Sequence, residues 1–259
     1  MSSALVGETH IPRDFGRYAR EYSFLEIDCE PGTIPGKARL QSVAKLAPEG
    51  FVFSLVLPSS LATLQGGEGA ERDWKGAQTA ARILRSRWWV VRTPASVRPT
   101  RKAREELASL FERLKAPSVR IAWEPHGLWE DSTASEAAAA LGVHLVQDIA
   151  HHDPVPAPVL YARLLAFGRG ARVGLGLAER VAERLSGFSE AFVAVEGRGA
   201  RAIQNALGLV SSAEAGDDDA ADAGDDDADE RDASDETDSD DADSDDLSGP
   251  LESVEIEDA

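Results

Sequence analysis

Along residues 1–210 two spacings of apolar side chains take turns, one of every second residue and one of every third or fourth. The first is the period of a strand and the second that of a helix. Ala4–Glu8 is a short strand-like run, and Phe15, Tyr18, Ala19 and Tyr22 then mark a helix behind Pro12. Ser23–Asp28 alternates again and stops at Pro31 and Gly32. Pro35, a favoured first helical residue, opens a helix predicted to reach Leu46. Phe51–Leu57 reads as a strand ended by Pro58, and Trp74, Ala77, Ala81 and Leu84 form the inner stripe of the next helix. Trp88–Val91 predicts a buried strand, and Ala103, Leu107, Leu110, Phe111 and Leu114 predict the helix after it.

The next stretch, V-R-I-A-W-E-P-H-G-L-W (Val119–Trp129), is an apolar run that ends on Glu124 and breaks at Pro125 and Gly127. That is how a buried strand delivers a polar group to its C-terminal rim. Thr133 with Glu136 reads as a capping box, and Gly142 stands where a helix is closed by glycine. Val143–Asp148 predicts a strand, and Pro154, Pro156 and Pro158 forbid a helix in the connection that follows. Val159–Leu165 and Phe192–Glu196 are strands; Leu177, Val181 and Leu185 mark one helix, and Ala202, Ile203, Ala206, Leu207 and Val210 the last. Strand and helix alternate about eight times with short connections, which predicts an α/β protein built as a (β/α)8 TIM-barrel-like domain. An open doubly wound sheet fits the same periodicity.

Composition divides the chain in two. Residues 211–259 hold 23 of the 46 acidic side chains and one of the 27 basic ones, so they carry −22 and residues 1–210 carry +3. The low overall charge of −19 therefore describes an appendage and not the body. From Glu214 to Asp246 the composition reduces, apart from Arg231, to small and acidic residues without an aromatic, too little apolar surface to offset chain entropy. The expected organisation is a barrel over 1–210 and a disordered acidic tail over 211–259. The single cysteine, Cys29, fits a reducing compartment. With no signal-like start and no run near the roughly 20 apolar residues that span a bilayer, the expectation is a cytoplasmic protein without a membrane.

Glu26, Asp28, Glu124 and Asp148 all fall at or near predicted C-terminal strand ends, where carboxylates gathered at one mouth can divide acid and base roles. They are the candidate catalytic residues, and pairing with Arg92 or Arg163 as rim ion pairs is the structural alternative. Arg92, His126 and Arg163 are candidate ligand-binding residues. So are Arg169, Gly197, Arg198 and Gly199, from two Gly-Arg-Gly-Ala-Arg segments after the seventh and eighth strands, where barrels often hold phosphate. His126, His151, His152, Asp148 and Asp153 are metal-binding types but form no metal motif, and no metal is expected. The basic and aromatic stretch Arg82–Arg104 is weighed against nucleic acid because Trp88 and Trp89 lie inside a predicted strand. No motif points to a cofactor.

Four stretches resemble a known family: Y-A-R-E-Y-S-F-L-E-I-D (Tyr18–Asp28), G-F-V-F-S-L-V-L-P (Gly50–Pro58), I-A-W-E-P-H-G-L-W with V-H-L-V-Q-D, and L-Y-A-R-L-L-A-F-G (Leu160–Gly168) followed by F-V-A-V-E-G-R-G-A-R-A-I-Q-N-A-L (Phe192–Leu207). In that order they resemble the domain of unknown function 72 (DUF72) family, the YecE-like proteins. The resemblance implies a TIM-barrel-like fold and names no activity. It also has departures: V-G-E-T-H-I-P stands where the family usually opens with a glycine-serine-glycine-tryptophan type segment, and Asp28, Val56, Pro125, Glu196 and Gly197 replace polar residues usual in the family. The functional expectation is a rim site for a small anionic or polar ligand, sugar- or phosphate-containing. A catalytically silent scaffold whose tail recruits a basic partner is the alternative.

Overall fold

The computed structural model describes residues 3–64, 66–164, 173–197 and 199–209. Among them eight strands close into a barrel in sequence order: β1 (Ser3–Glu8), β2 (Phe24–Asp28), β3 (Val52–Val56), β4 (Trp88–Thr93), β5 (Arg120–Pro125), β6 (His144–Gln147), β7 (Val159–Leu164) and β8 (Glu190–Val195). All neighbours are parallel. The ring shuts where β1 pairs with β8 over six positions, Ser3 with Glu190 through Glu8 with Val195. The open sheet allowed by periodicity is thereby ruled out.

Around the barrel lie α1 (Phe15–Glu21), α2 (Lys37–Leu46), α3 (Ser59–Ala62), α4 (Glu68–Leu84), α5 (Arg101–Leu114), α6 (Asp131–Leu141), α7 (Leu175–Leu185) and α8 (Ala200–Ala206). No helix joins β6 to β7, as the three prolines require. The capping box predicted at Thr133 is not used: α6 starts two residues earlier, with Glu130 as its cap and Asp131 placing a negative charge in the first turn. Its predicted end is as observed, Gly142 in the left-handed region at φ 67°. Similarly α2 starts at Lys37, capped by Gly36, two residues after Pro35. Trp88 and Trp89 are both buried, so neither offers a stacking platform to a nucleic acid.

The period of two sorts the strand residues into two cores. Leu25, Ile27, Leu55, Trp89, Val91, Ile121, Trp123, Leu160, Ala162 and Leu164 face outward into the layer shared with the helices. Phe24, Val52, Val56, Trp88, Val90, Ala122, Tyr161, Phe192 and Ala194 form a separate cluster inside the barrel. Parity then carries the argument to the polar residues. Since Leu25 and Ile27 face the helices, Glu26 between them faces the barrel. Trp123 puts Glu124 inside by the same rule, and Leu164 does so for Arg163.

At the N-terminal end the barrel is closed by Arg120, whose guanidinium lies over Trp88 and Phe192 and pairs with Glu190. His144 stands 5.1 Å from Trp88 in the same floor. Burial, reinforced by Arg120 and opposed by Glu190, pulls its pKa below the usual range. The folded protein thus keeps His144 neutral where the unfolded chain protonates it. This contribution to stability is full above about pH 6.5 and is lost as pH falls from there through the lowered folded value. Urea unfolding from pH 7.5 to 5.5 should show a shallower decline in His144→Gln than in the wild type. An identical decline would remove His144 from the account.

Candidate functional site

At the opposite, C-terminal end of the barrel, side chains from five strands meet in one hydrogen-bonded chain. It begins inside, where Ser54 of β3 and Tyr161 of β7 bring their hydroxyl oxygens to 2.6 Å. Tyr161 gives its one proton to Glu26 Oε2 at 2.7 Å, so Ser54 is the donor to Tyr161. Burial, then the adjacent Glu26 carboxylate, push the Tyr161 pKa well above the usual tyrosine range and hold the hydroxyl protonated.

Glu26, on β2, has no solvent exposure. Arg163 Nε donates to its two oxygens at 2.9 and 3.2 Å, and Arg163 Nη1 reaches across to Glu124 Oε2 on β5. The same oxygen of Glu124 accepts from Arg92 Nε, on β4, at 3.0 Å, a contact set by the register pair Arg92 with Glu124. Arg163 has only 6% of its side chain exposed. Burial alone would lower its pKa, but Glu26 and Glu124 outweigh that and raise it, so the guanidinium is charged throughout. Its Nη2, and both terminal nitrogens of Arg92, have no hydrogen-bond partner among the described residues.

Above this chain lies a cleft of about 910 Å³, lined among others by Glu8, His10, Asp28, Arg92, Arg163 and Glu196. Glu8 ends β1. Burial holds its carboxyl above the ordinary glutamate range, with His10, 3.9 Å away, pulling down and Glu21 pushing up. The cleft sits where barrel enzymes carry their chemistry, because this face collects the loops that follow every strand.

The structure therefore brings together Glu26, Glu124, Arg92 and Arg163, with Asp28 and Gly197 on the cleft wall. Asp28 also accepts from the backbone N–H of Glu30 at 2.9 Å, a local turn. His126 stands 3.8 Å from Glu124 Oε1, half-exposed beside the network. Asp148 is placed apart. Strand β6 ends one residue before it, and its carboxylate accepts from Ala150 N–H and faces His151 Nδ1 at 2.8 Å in a tight turn. Gly199 caps α8 against Val173 and Val195, while Arg169 and Arg198 lie outside the described residues. Among the described residues no three His, Cys, Asp or Glu side chains gather as a metal set.

Sequence reading missed Tyr161 and Ser54 beneath the network and Glu8, His10 and Glu196 on the wall. For Tyr161 the signal was present: it shares strand parity with Arg163. For Glu8 it was the same strand ending on a carboxylate that singled out Glu124.

No family sequence model matches the chain, and no curated protein matches it by sequence. Solved structures do. A DUF72 family protein from Thermotoga maritima matches with a TM-score of 0.59 at 16% identity, over 80% of this chain and 99% of its own. A DUF72 family protein from Enterococcus faecalis V583 gives 0.59 at 17%, over 81% and 96%. A D-tagatose 3-epimerase-like protein gives 0.51 at 12%, over 81% and 95%. Identities this low speak for the fold, which is a TIM barrel like that of the DUF72 proteins.

Proposed function

We propose that the mouth of this barrel binds a small polar ligand of sugar size, seated on Arg163 and Arg92 and walled by Glu8, Asp28 and Glu196. The observation that carries the reading is the buried Glu26–Arg163–Glu124 arrangement beneath an open cleft. Removing charges from water costs more than an apolar filling of equal volume would, so stability alone is a poor reason to keep them there. Placed at the catalytic face of the fold, with terminal guanidinium nitrogens left over, they are suited to hold hydroxyl groups in fixed directions. The D-tagatose 3-epimerase-like neighbour adds a sugar as the ligand class to test first, by likeness of fold.

Saturation-transfer NMR of the full-length protein with neutral pentoses and hexoses tests this. Transfer to sugar protons is expected, reduced at least about threefold by Arg92→Ala, the loss of one or two hydrogen bonds of ordinary strength. Absence of transfer from every sugar, or transfer indifferent to Arg92→Ala, would reject the reading. Among the described residues no helix is long and apolar enough to cross a membrane.

A further inference from the structure

The cleft is lined from both faces of the strands. Glu26, Val56 and Arg163 reach it from inside the barrel, whereas Glu8 and Ile27 belong by parity to the face turned toward the helices. For Glu8 the register pairs decide this, since Leu25 and Val195 both lie in the outer core. A cavity touches both faces of a sheet only where it passes over the strand ends. The cleft therefore runs from the mouth outward, across the rim.

Register explains why it crosses here. β1 and β8 end together, Glu8 beside Val195, but β2 continues past the pair of Glu8 with Leu25 by Glu26, Ile27 and Asp28. A step of three residues compares with an average of about one per strand in an eight-stranded barrel of shear 8, so the rim beside β2 drops about 6–7 Å more than an even stagger requires. Beyond this notch the chemistry of the cleft changes. Its walls there are Thr9 and Ile11, from the connection between β1 and α1, and Thr33 and Pro35, from that between β2 and α2. They offer apolar surface and hydroxyl groups in place of guanidinium and carboxylate.

Both connections are fixed in advance. Arg39 of α2 donates to Pro12 O at 2.7 Å and to Arg13 O at 3.1 Å, which ties the first connection to α2. In the second, the Glu30 carbonyl accepts from Thr33 Oγ1 at 2.8 Å and the Glu30 carboxylate from Ser59 N–H at 2.6 Å. Walls already ordered cost a ligand little to occupy. The whole cleft, about 910 Å³, lies near the top of the roughly 300–1,000 Å³ typical of sites for drug-sized ligands, more than one sugar ring fills.

We propose that the ligand is a glycoside with a ring-sized, largely apolar aglycone. Its sugar hydroxyls meet Arg92 and Arg163, and the aglycone leaves the mouth over β1 to lie against Ile11 and Pro35. This rests on the reading that the mouth binds a small polar ligand of sugar size, and it adds a second group outside the rim.

Titration calorimetry of the full-length protein compares methyl and phenyl glycosides of glucose, galactose and mannose, in both anomers. For a sugar that binds, the phenyl member should be tighter by at least about tenfold, the range for burying a ring on apolar side chains. Ile11→Ala and, separately, Pro35→Ala should cut that ratio at least about threefold and leave the affinity for the methyl member unchanged. Arg92→Ala should weaken both members alike. Saturation-transfer NMR on the wild type does not depend on any variant folding: irradiation of protein methyl groups should reach the phenyl protons more strongly than the sugar protons. Equal affinity of phenyl and methyl members, stronger transfer to the sugar protons, or a ratio indifferent to both Ile11→Ala and Pro35→Ala overturns the extended ligand and leaves the sugar reading standing. Absence of binding by every glycoside overturns both.

Discussion

Arg163→Met should lower the stability of the protein by about 3–5 kcal/mol, the effect of leaving a buried charge without its partner. Glu26 is fully buried, and with Arg163 gone only the Tyr161 hydroxyl remains on its two oxygens. Glu124 is less affected because Arg92 still donates to it. The same contact from the other side should matter little: the Arg92 side chain is 38% exposed, and Arg92→Met should cost less than about 1 kcal/mol because water screens the pair. Urea denaturation with Glu26→Gln added to Arg163→Met separates lost packing from the orphaned charge, since the double variant should regain part of the loss. If Arg163→Met costs less than about 1 kcal/mol, or the double variant is no more stable than the single one, the network does not hold the mouth together in the way described.

That network shows where sequence stops being enough. In F-L-E-I-D the alternation is visible, and parity sets Glu26 against Leu25 and Ile27. Which of the two faces is the barrel and which the helix layer is decided only by closure. Closure depends on β1 finding β8 from the other end of the folded chain, a pairing with no local periodicity to announce it. Register is equally silent. Arg92 and Glu124 are both legible as strand-end charges, but their meeting follows from the pairing of Trp88 with Arg120 and of each residue after it. Asp148 fails for the opposite reason. Its strand-end position was read correctly to within one residue, yet its two oxygens are engaged in the turn after β6, one by Ala150 N–H and the other facing His151, whereas Asp28 makes the same backbone contact with Glu30 and still lines the cleft. Glycine- and arginine-rich stretches were legible as composition, and they lie in part outside the described residues.

Gly7→Ala should be the most damaging of the single-methyl changes, at least about 3 kcal/mol, toward the upper end of overpacking effects. A Cβ at this position would fall 2.0 Å from the carbonyl oxygen of Phe24, 2.7 Å from its carbon and 2.8 Å from Tyr18 Oη. Two of these atoms are backbone and cannot turn aside, so β1 must move off β2. Little resists that move apart from one hydroxyl. The two strands share a single register pair, Glu8 with Leu25, and Tyr18 Oη bridges them by accepting from Glu8 N–H at 2.9 Å and donating to Phe24 O at 2.7 Å. Pushing β1 away therefore breaks two hydrogen bonds as well, one of them buried. It also displaces Glu8, the next residue, which lines the cleft. Gly199→Ala meets side-chain and not backbone atoms, Val173 Cγ2 at 2.4 Å and Val195 Cγ1 at 2.8 Å; these buried valines are stiff, so the change is destabilising, but it leaves the strand pairing in place and should cost less than Gly7→Ala. Gly16→Ala, inside α1 with only Asp14 Oδ1 at 3.5 Å, should be neutral or stabilising by up to about 1 kcal/mol through helix propensity. The order Gly7, Gly199, Gly16 in urea midpoint is the measurement. A Gly7→Ala protein that unfolds with the wild type would mean that the close approach of β1 to β2 is not what seats Glu8 at the mouth.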